Sequence, residues 1–143
     1  MLVNNNPLNI RFRSEGYWQG QAPSGPRHPQ FCRFYDLKWG FRAAFRLLLT
    51  YYDRYHLTSV GKIVLRWAPP NENDTQAYIR FVVSDLRRQG LVVTPDTELP
   101  HPRESPRLWT SLVLSMARME CSPKRIDLSV AEACQVGYRL LFD

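Results

Sequence analysis

A single carboxylic acid at the end of an apolar helical stripe is the best candidate for chemistry in this sequence. Its stripe has the spacing i, i+4, i+7 and i+11, which a helix places on one face: Trp109, Val113, Met116 and Glu120. Because the other three residues are of core type, the Glu120 carboxyl should be partly buried, and burial raises the pKa of a carboxyl group. A helix C-terminus also disfavours negative charge. We therefore predict that Glu120 stays protonated near neutral pH and is a general acid. The alternative is a side chain that reaches solvent or pairs with an arginine.

Five segments have the apolar periodicity or the start and stop signals of helices. We expect the helix that carries Glu120 to be central, because residues 108–119 are apolar on more than one face. Ser129 and Glu132 have the spacing of a capping box, which predicts the start of the last helix. The five segments span about 38–55, 58 or 59 to 67, 73 or 74 to 89, 105–123, and 129–141.

The first 35 residues lack helical periodicity and contain many prolines and glycines. Short extended pieces at 10–13 and 31–35 are predicted to pair as a small hairpin. The sequence thus predicts a mainly α fold, of the α+β type, with about five helices around a central helix and a small N-terminal β element. With 143 residues, it should form one domain, 1–143, with a single core.

Composition excludes several kinds of site. The three cysteines have no CxxC spacing and the three histidines lie far apart, so we expect no metal, no cofactor and no disulfide framework. Phosphate-binding glycine motifs and a nucleophilic serine motif are absent as well. No apolar stretch reaches membrane-spanning length. A polar run at residues 4–7 stands where a signal peptide would be apolar, so we expect synthesis in the cytoplasm without a signal peptide.

The charge is +6, from 19 Lys and Arg against 13 Asp and Glu, and its excess lies in the first third of the chain. Residues 1–46 hold seven basic and two acidic side chains. Such a surface suits an anionic cell-wall polymer, an acidic protein or nucleic acid. The basic residues are scattered singly, however, which an ordinary solvated surface explains equally well. With no nucleic-acid motif present, nucleic acid is the weakest of these candidates.

Several motifs resemble a family of short proteins encoded in bacterial genomes and prophages, which are usually described as phage virion structural proteins. The resemblance covers roughly residues 3–90. The matching motifs are NNNPLNIR (4–11), WQG (18–20), FCRF (31–34), GFRAA (40–44) and the quite specific RWAPPNENDTQAY (66–78).

A weaker resemblance is to the lysozyme superfamily of cell-wall glycosidases, in its glucosaminidase and lytic transglycosylase branch. There an Asn-Asn-Leu-Phe-Gly-Ile-Lys motif leads into a short β element, and residues 5–11 are similar. Later in the sequence, proteins of that branch have a Tyr-Ala-Thr-Asp-Pro segment followed by a Tyr, and residues 67–78 of this chain are similar to it. In that superfamily the catalytic Glu ends a helix that precedes the Asn-Asn motif, whereas here the similar helix, 112–120, follows it. This order suggests a circular permutation of a lysozyme-like domain.

The resemblance implies cleavage of peptidoglycan by a muramidase, glucosaminidase or lytic transglycosylase, with Glu120 as general acid. A second group would stabilise the transition state or activate water, and Glu72 and Asp74 are the candidates. Each has a structural alternative, because Asp74 or its neighbour is a good N-cap and Glu72 is typical of a solvated loop. The candidate substrate-binding residues are Asn5, Asn6, Asn9, Trp18, Trp67, Asn71, Asn73 and Tyr78. Asn5, Asn6 and Asn9 are equally suited to forming turns. Core packing is the commoner fate of a tryptophan, so it is the main alternative for Trp18 and Trp67.

A second function remains open from the sequence. The protein could be a non-enzymatic virion or secretion-apparatus component that binds cell wall or a protein partner, with its basic N-terminal third as the docking surface. We expect action at the cell wall, in a virion or after delivery by another system.

Overall fold

The computed structural model describes residues 2–143, and within them five α-helices and a two-stranded antiparallel sheet form the fold. The fold is therefore mainly helical with a small β element, as predicted. The helices are α1 (Leu37–Tyr55), α2 (Val60–Trp67), α3 (Thr75–Arg88), α4 (Pro106–Cys121) and α5 (Leu128–Phe142). The strands are β1 (Gln21–Ala22) and β2 (Arg33–Phe34), and short 3₁₀ turns lie at Leu2–Asn4 and Pro123–Arg125. None of the described helices is long and apolar enough to span a membrane.

The helix starts follow local capping chemistry. The Ser59 side chain accepts a hydrogen bond from the backbone N–H of Lys62, and the Asp74 side chain accepts one from Ala77, so these two residues are the N-caps of α2 and α3. The predicted capping box at Ser129 is wrong. Asp127 caps α5 instead, because its carboxylate accepts from the Val130 N–H at 3.0 Å and so starts the helix before Ser129.

The predicted hairpin exists only as a single antiparallel bridge, between Arg11 and Phe31. The rest of the 31–35 segment forms β2, which pairs with β1 and places Gln21 opposite Phe34. The sequence did not indicate this pairing. The turn at Gly20 permits this pairing. Gly20 has φ of 77°, a left-handed conformation that glycine adopts without strain, and its carbonyl accepts from the Tyr35 N–H at 3.0 Å.

Helix α4 packs against both α3 and α5, while α1 packs mainly on α5. The stripe of α4 is buried as predicted, since Trp109, Val113 and Met116 are each 0% exposed. A polar clamp also joins α3 to α4. Asp85 accepts a hydrogen bond from Arg118 Nη1 at 2.8 Å and another from the hydroxyl of Ser115. These contacts fix α4, and therefore Glu120 in its last turn, against α3.

Candidate functional site

The Glu120 carboxyl group is held by two side chains from distant parts of the chain. Asn9 Nδ2 donates to Glu120 Oε1 at 2.8 Å, and the Tyr78 hydroxyl donates to Oε2 at 2.9 Å. Asn9 lies in the loop before β1, Tyr78 in the first turn of α3, and Glu120 in the last turn of α4. Three predicted site residues are thus brought together by the fold.

Burial raises the pKa of Glu120 above its ordinary value, and the hydrogen bonds from Asn9 and Tyr78 offset this only in part. Within residues 2–143, no Lys, Arg or His side chain lies within ion-pairing distance of the Glu120 oxygens. Burial, followed by the neighbouring charge of Glu120, also raises the pKa of Tyr78, so its hydroxyl remains a proton donor. The arrangement favours a carboxyl group that keeps its proton to a higher pH than a solvated one.

The loop that presents Asn9 is held by the other asparagines of its motif. Asn6 is 0% exposed; its Oδ1 accepts from the Ile10 N–H, and its Nδ2 donates to the carbonyls of Ile10 and Cys32, all at 2.9 Å. Asn5 Nδ2 donates to the Phe34 carbonyl at 2.9 Å. These contacts with its own loop and with Cys32 give the buried Asn6 amide a loop-holding role, and its contact with substrate stays a prediction. Asn5 has a similar loop-holding contact.

Asn9 itself adopts a left-handed conformation, with φ of 54°. Asparagine tolerates this region better than most residues do, and the turn aims its side chain at the end of α4. A second contact ties the same loop to α4, because Cys121 Sγ donates to the Pro7 carbonyl at 3.2 Å. Asn9 therefore has a fixed position beside Glu120.

Asn9 also lines a cleft of about 300 Å³. Aromatic side chains from three segments line it: Trp18, Tyr51 and Trp67. The rings of Tyr51 and Trp67 meet edge to face, with centroids 5.9 Å apart. Trp18 and Trp67 are both partly exposed rather than fully buried, so each has ring surface that a sugar can contact.

Charged residues complete the cleft. Arg11, Arg13 and Arg66 line it together with Glu72, and all four are exposed. Arg11 Nη2 lies 3.8 Å from Glu72 Oε2, a solvent-exposed ion pair. Glu120 is not among the lining residues, so Asn9 is the side chain that touches both the cleft and the buried acid.

Three predicted site residues lie in the exposed turn before α3. Asp74 Oδ1 accepts from the Ala77 N–H at 3.1 Å, which is the capping role that the sequence left open. Asn73 Nδ2 donates to the Pro69 carbonyl at 3.2 Å and so closes the turn. Asn71 is exposed and does not line the cleft. The structure gives none of these three a contact with Glu120, whereas Glu72 does face the cleft.

Among the charged and aromatic residues that line the cleft, the sequence did not single out four: Arg11, Arg13, Tyr51 and Arg66. Tyr51 lies beside the apolar face of α1 that the periodicity identified, and Arg66 precedes Trp67 at the end of α2. The excess of arginine in the first third of the chain was the available signal for Arg11 and Arg13, but it did not indicate where they converge.

The chain matches no family model. It is similar to Protein P5 of Pseudoalteromonas phage PM2, with 45% identity over 85 residues. The match covers 58% of this chain and 52% of Protein P5, so it spans about half the length of that relative. The predicted resemblance to phage proteins is confirmed to that extent.

Proposed function

We propose that this protein is a phage-related glycosidase that cleaves peptidoglycan, with Glu120 as the general acid. The observation that carries the proposal is the convergence of Asn9 and Tyr78 on the partly buried Glu120 carboxyl, next to an aromatic cleft. A carboxyl group with a raised pKa retains the proton that a leaving sugar oxygen requires.

The same convergence supports a circularly permuted lysozyme-like domain. The motif that resembles Asn-Asn-Leu-Phe-Gly-Ile-Lys places Asn9 where that motif has glycine, and Asn9 has the positive φ that such a glycine position would need. Its loop contacts the end of the helix that resembles the catalytic helix, although that helix follows the loop in the chain. Spatial adjacency in a changed chain order is what a permutation predicts.

In the proposed reaction, protonated Glu120 donates its proton to the oxygen that bridges two sugars, and the bond between that oxygen and the anomeric carbon breaks. The anomeric carbon then bonds to a water oxygen in hydrolysis, or to a hydroxyl oxygen of the same sugar in transglycosylation. Tyr78 and Asn9 orient the carboxyl group and stabilise the carboxylate that remains after the transfer. Trp18 and Trp67 would stack on sugar faces in the cleft. Glu72 is the candidate for the second group, because it is the acidic side chain that lines the cleft, while Asp74 is engaged as a helix cap.

The test is the release of soluble fragments from purified peptidoglycan by wild type, Glu120→Gln and Glu132→Gln. Glu120→Gln keeps the size of the side chain but has no proton of suitable acidity, so we expect activity to fall by at least about a hundredfold. Glu132 is an exposed acid on α5, and its variant should match wild type. A wild-type protein that folds but releases nothing, or a Glu120→Gln variant that remains fully active, refutes the proposal.

A second candidate function is a non-enzymatic phage component that binds cell wall or a protein partner. The similarity to Protein P5 of a phage favours this candidate more directly, because it supplies a phage relative and no activity. Under either function we propose that the protein is made in the cytoplasm and reaches the cell wall in a particle or by another delivery system. An inert wild type that still sediments with peptidoglycan would select this second function.

A further inference from the structure

The cleft combines aromatic rings with a local excess of positive charge. Of its four charged lining residues, three are arginines and one is Glu72, which leaves a net charge of +2. Arg11 lies beside Glu72, so Arg13 and Arg66 are the two cations whose charge this acid does not offset at close range. An uncharged sugar polymer would gain little from these two guanidinium groups.

The guanidinium of Arg66 is positioned by neighbouring rings. Its central carbon lies 4.7 Å from the ring centroid of Tyr55 and 5.6 Å from that of Tyr51. Stacking of this kind restrains a long side chain through the face of the guanidinium plane and not through its N–H edge. Tyr51 is also a hydrogen-bond partner of Arg66. A guanidinium edge matches the two oxygens of a carboxylate.

We propose that the cleft binds a glycan that carries carboxylate groups, with Arg13 and Arg66 pairing to the carboxylates while Trp18 and Trp67 contact the sugar rings. This inference rests on the proposed function, because it takes the cleft as the substrate site beside Glu120. The carboxylates can come from two sources on peptidoglycan: the lactyl groups of those sugars that carry no peptide, or the peptides attached to the other sugars.

The charge pattern favours such a glycan over a single-stranded nucleic acid. A nucleic acid carries a negative charge on every nucleotide, whereas the cleft offers two cations, Arg13 and Arg66, that no cleft acid offsets at close range. Carboxylates carried on separate sugars or peptides are spaced further apart, so they can pair with Arg13 and Arg66 without lying next to Glu72. Nucleic acid is therefore the outcome that the experiment must exclude.

The test measures binding in the Glu120→Gln background, so that ligand is not consumed. Arg13→Gln and Arg66→Gln are compared with Arg87→Gln, which removes an exposed arginine that does not line the cleft. The probes are intact peptidoglycan fragments, glycan strands stripped of peptide, neutral chitin oligomers and oligothymidylate. Circular dichroism checks that each variant is folded.

We expect each cleft substitution to weaken binding of the acidic glycans about three- to fivefold, as for solvent-exposed charge pairs, and leave chitin binding unchanged. Affinity for the acidic glycans should also fall as salt is raised. Weaker binding of stripped strands, whose lactyl carboxyls are free, by the two arginine variants identifies lactyl carboxylates as the source. Weaker binding of intact fragments alone identifies the peptides. The inference is overturned if the arginine substitutions weaken chitin binding as much as binding of the acidic glycans, or if they change binding of no glycan. It is also overturned if the parent protein binds oligothymidylate more tightly than the acidic glycans.

The two proposals fail separately. Arginine-dependent binding with no fragment release by wild type would refute the glycosidase and leave the acidic-glycan site standing. Fragment release that depends on Glu120, together with unchanged binding in both arginine variants, would refute the site and leave the glycosidase standing.

Discussion

The hydrogen bond from Tyr78 to Glu120 gives a prediction that tests the state of the buried acid without a substrate. Tyr78→Phe removes only the hydroxyl that lies 2.9 Å from Glu120 Oε2, and its ring, with the residue 4% exposed, keeps the same packing. The variant should be less stable than wild type, and the loss should grow as pH rises.

The magnitude follows from the charge on the acceptor. A hydrogen bond to a neutral group contributes about 1 kcal/mol to stability, and one to a charged group about 2 kcal/mol. At low pH Glu120 is neutral, so Tyr78→Phe should lower the free energy of unfolding by about 1 kcal/mol. At high pH the carboxylate has lost a donor, so the loss should be about 2 kcal/mol.

The sign of the pH dependence follows from the raised pKa of Glu120. Because burial raises that pKa in the folded state, the stability this group contributes is fully present below its ordinary, unfolded pKa and is lost as pH rises through the folded value. The Tyr78 hydrogen bond lowers the folded pKa. Its removal therefore raises that pKa further and steepens the loss of stability with pH.

Urea unfolding of both proteins at about pH 4 and about pH 8 measures the effect, since these values lie on either side of an ordinary glutamate pKa. Tyr138→Phe is the matched control. Tyr138 is 5% exposed and donates to the carbonyl of Pro102 at 2.6 Å, an acceptor that does not titrate. Tyr138→Phe should therefore lower the free energy of unfolding by the same amount at both pH values.

The reasoning is refuted if the loss in Tyr78→Phe is equal at the two pH values, or if Tyr138→Phe shows the same increase. When Tyr78→Phe is made in a Glu120→Gln background, the additional loss of stability at high pH should disappear. If the additional loss remains in that background, the pH dependence comes from another group.

Two further predictions concern the packing that positions the site. Gly40→Ala should lower the free energy of unfolding by at least about 2 kcal/mol in thermal or urea unfolding, because the added Cβ overlaps the Asn5 carbonyl oxygen in the loop that presents Asn9. A variant as stable as wild type, or more stable, would contradict this close packing. Asp85→Ala should lower the free energy of unfolding by about 3 kcal/mol in the same measurement, because it leaves Arg118 and Ser115 on α4 without their shared acceptor. A decrease of less than about 1 kcal/mol would show that the clamp does not hold α3 to α4.

The sequence alone determined the helices and the buried face of α4. Apolar periodicity and capping residues act over a few positions, so Ser59, Asp74 and the stripe that ends at Glu120 were predictable from local patterns. The start of α5 was missed because two polar residues, Asp127 and Ser129, compete for the cap, and only the backbone geometry decides between them.

The tertiary structure decided which side chains meet. Asn6 and Asn9 belong to one motif, yet one is buried in its own loop and the other reaches Glu120, a residue 111 positions away. Nothing in the residue types separates them, because the difference arises from a backbone turn and from the end of α4 packing against it. The arginines of the cleft are a similar case: their number was visible in the chain, but their convergence beside Trp18 and Trp67 depends on contacts between distant segments, which local spacing does not encode.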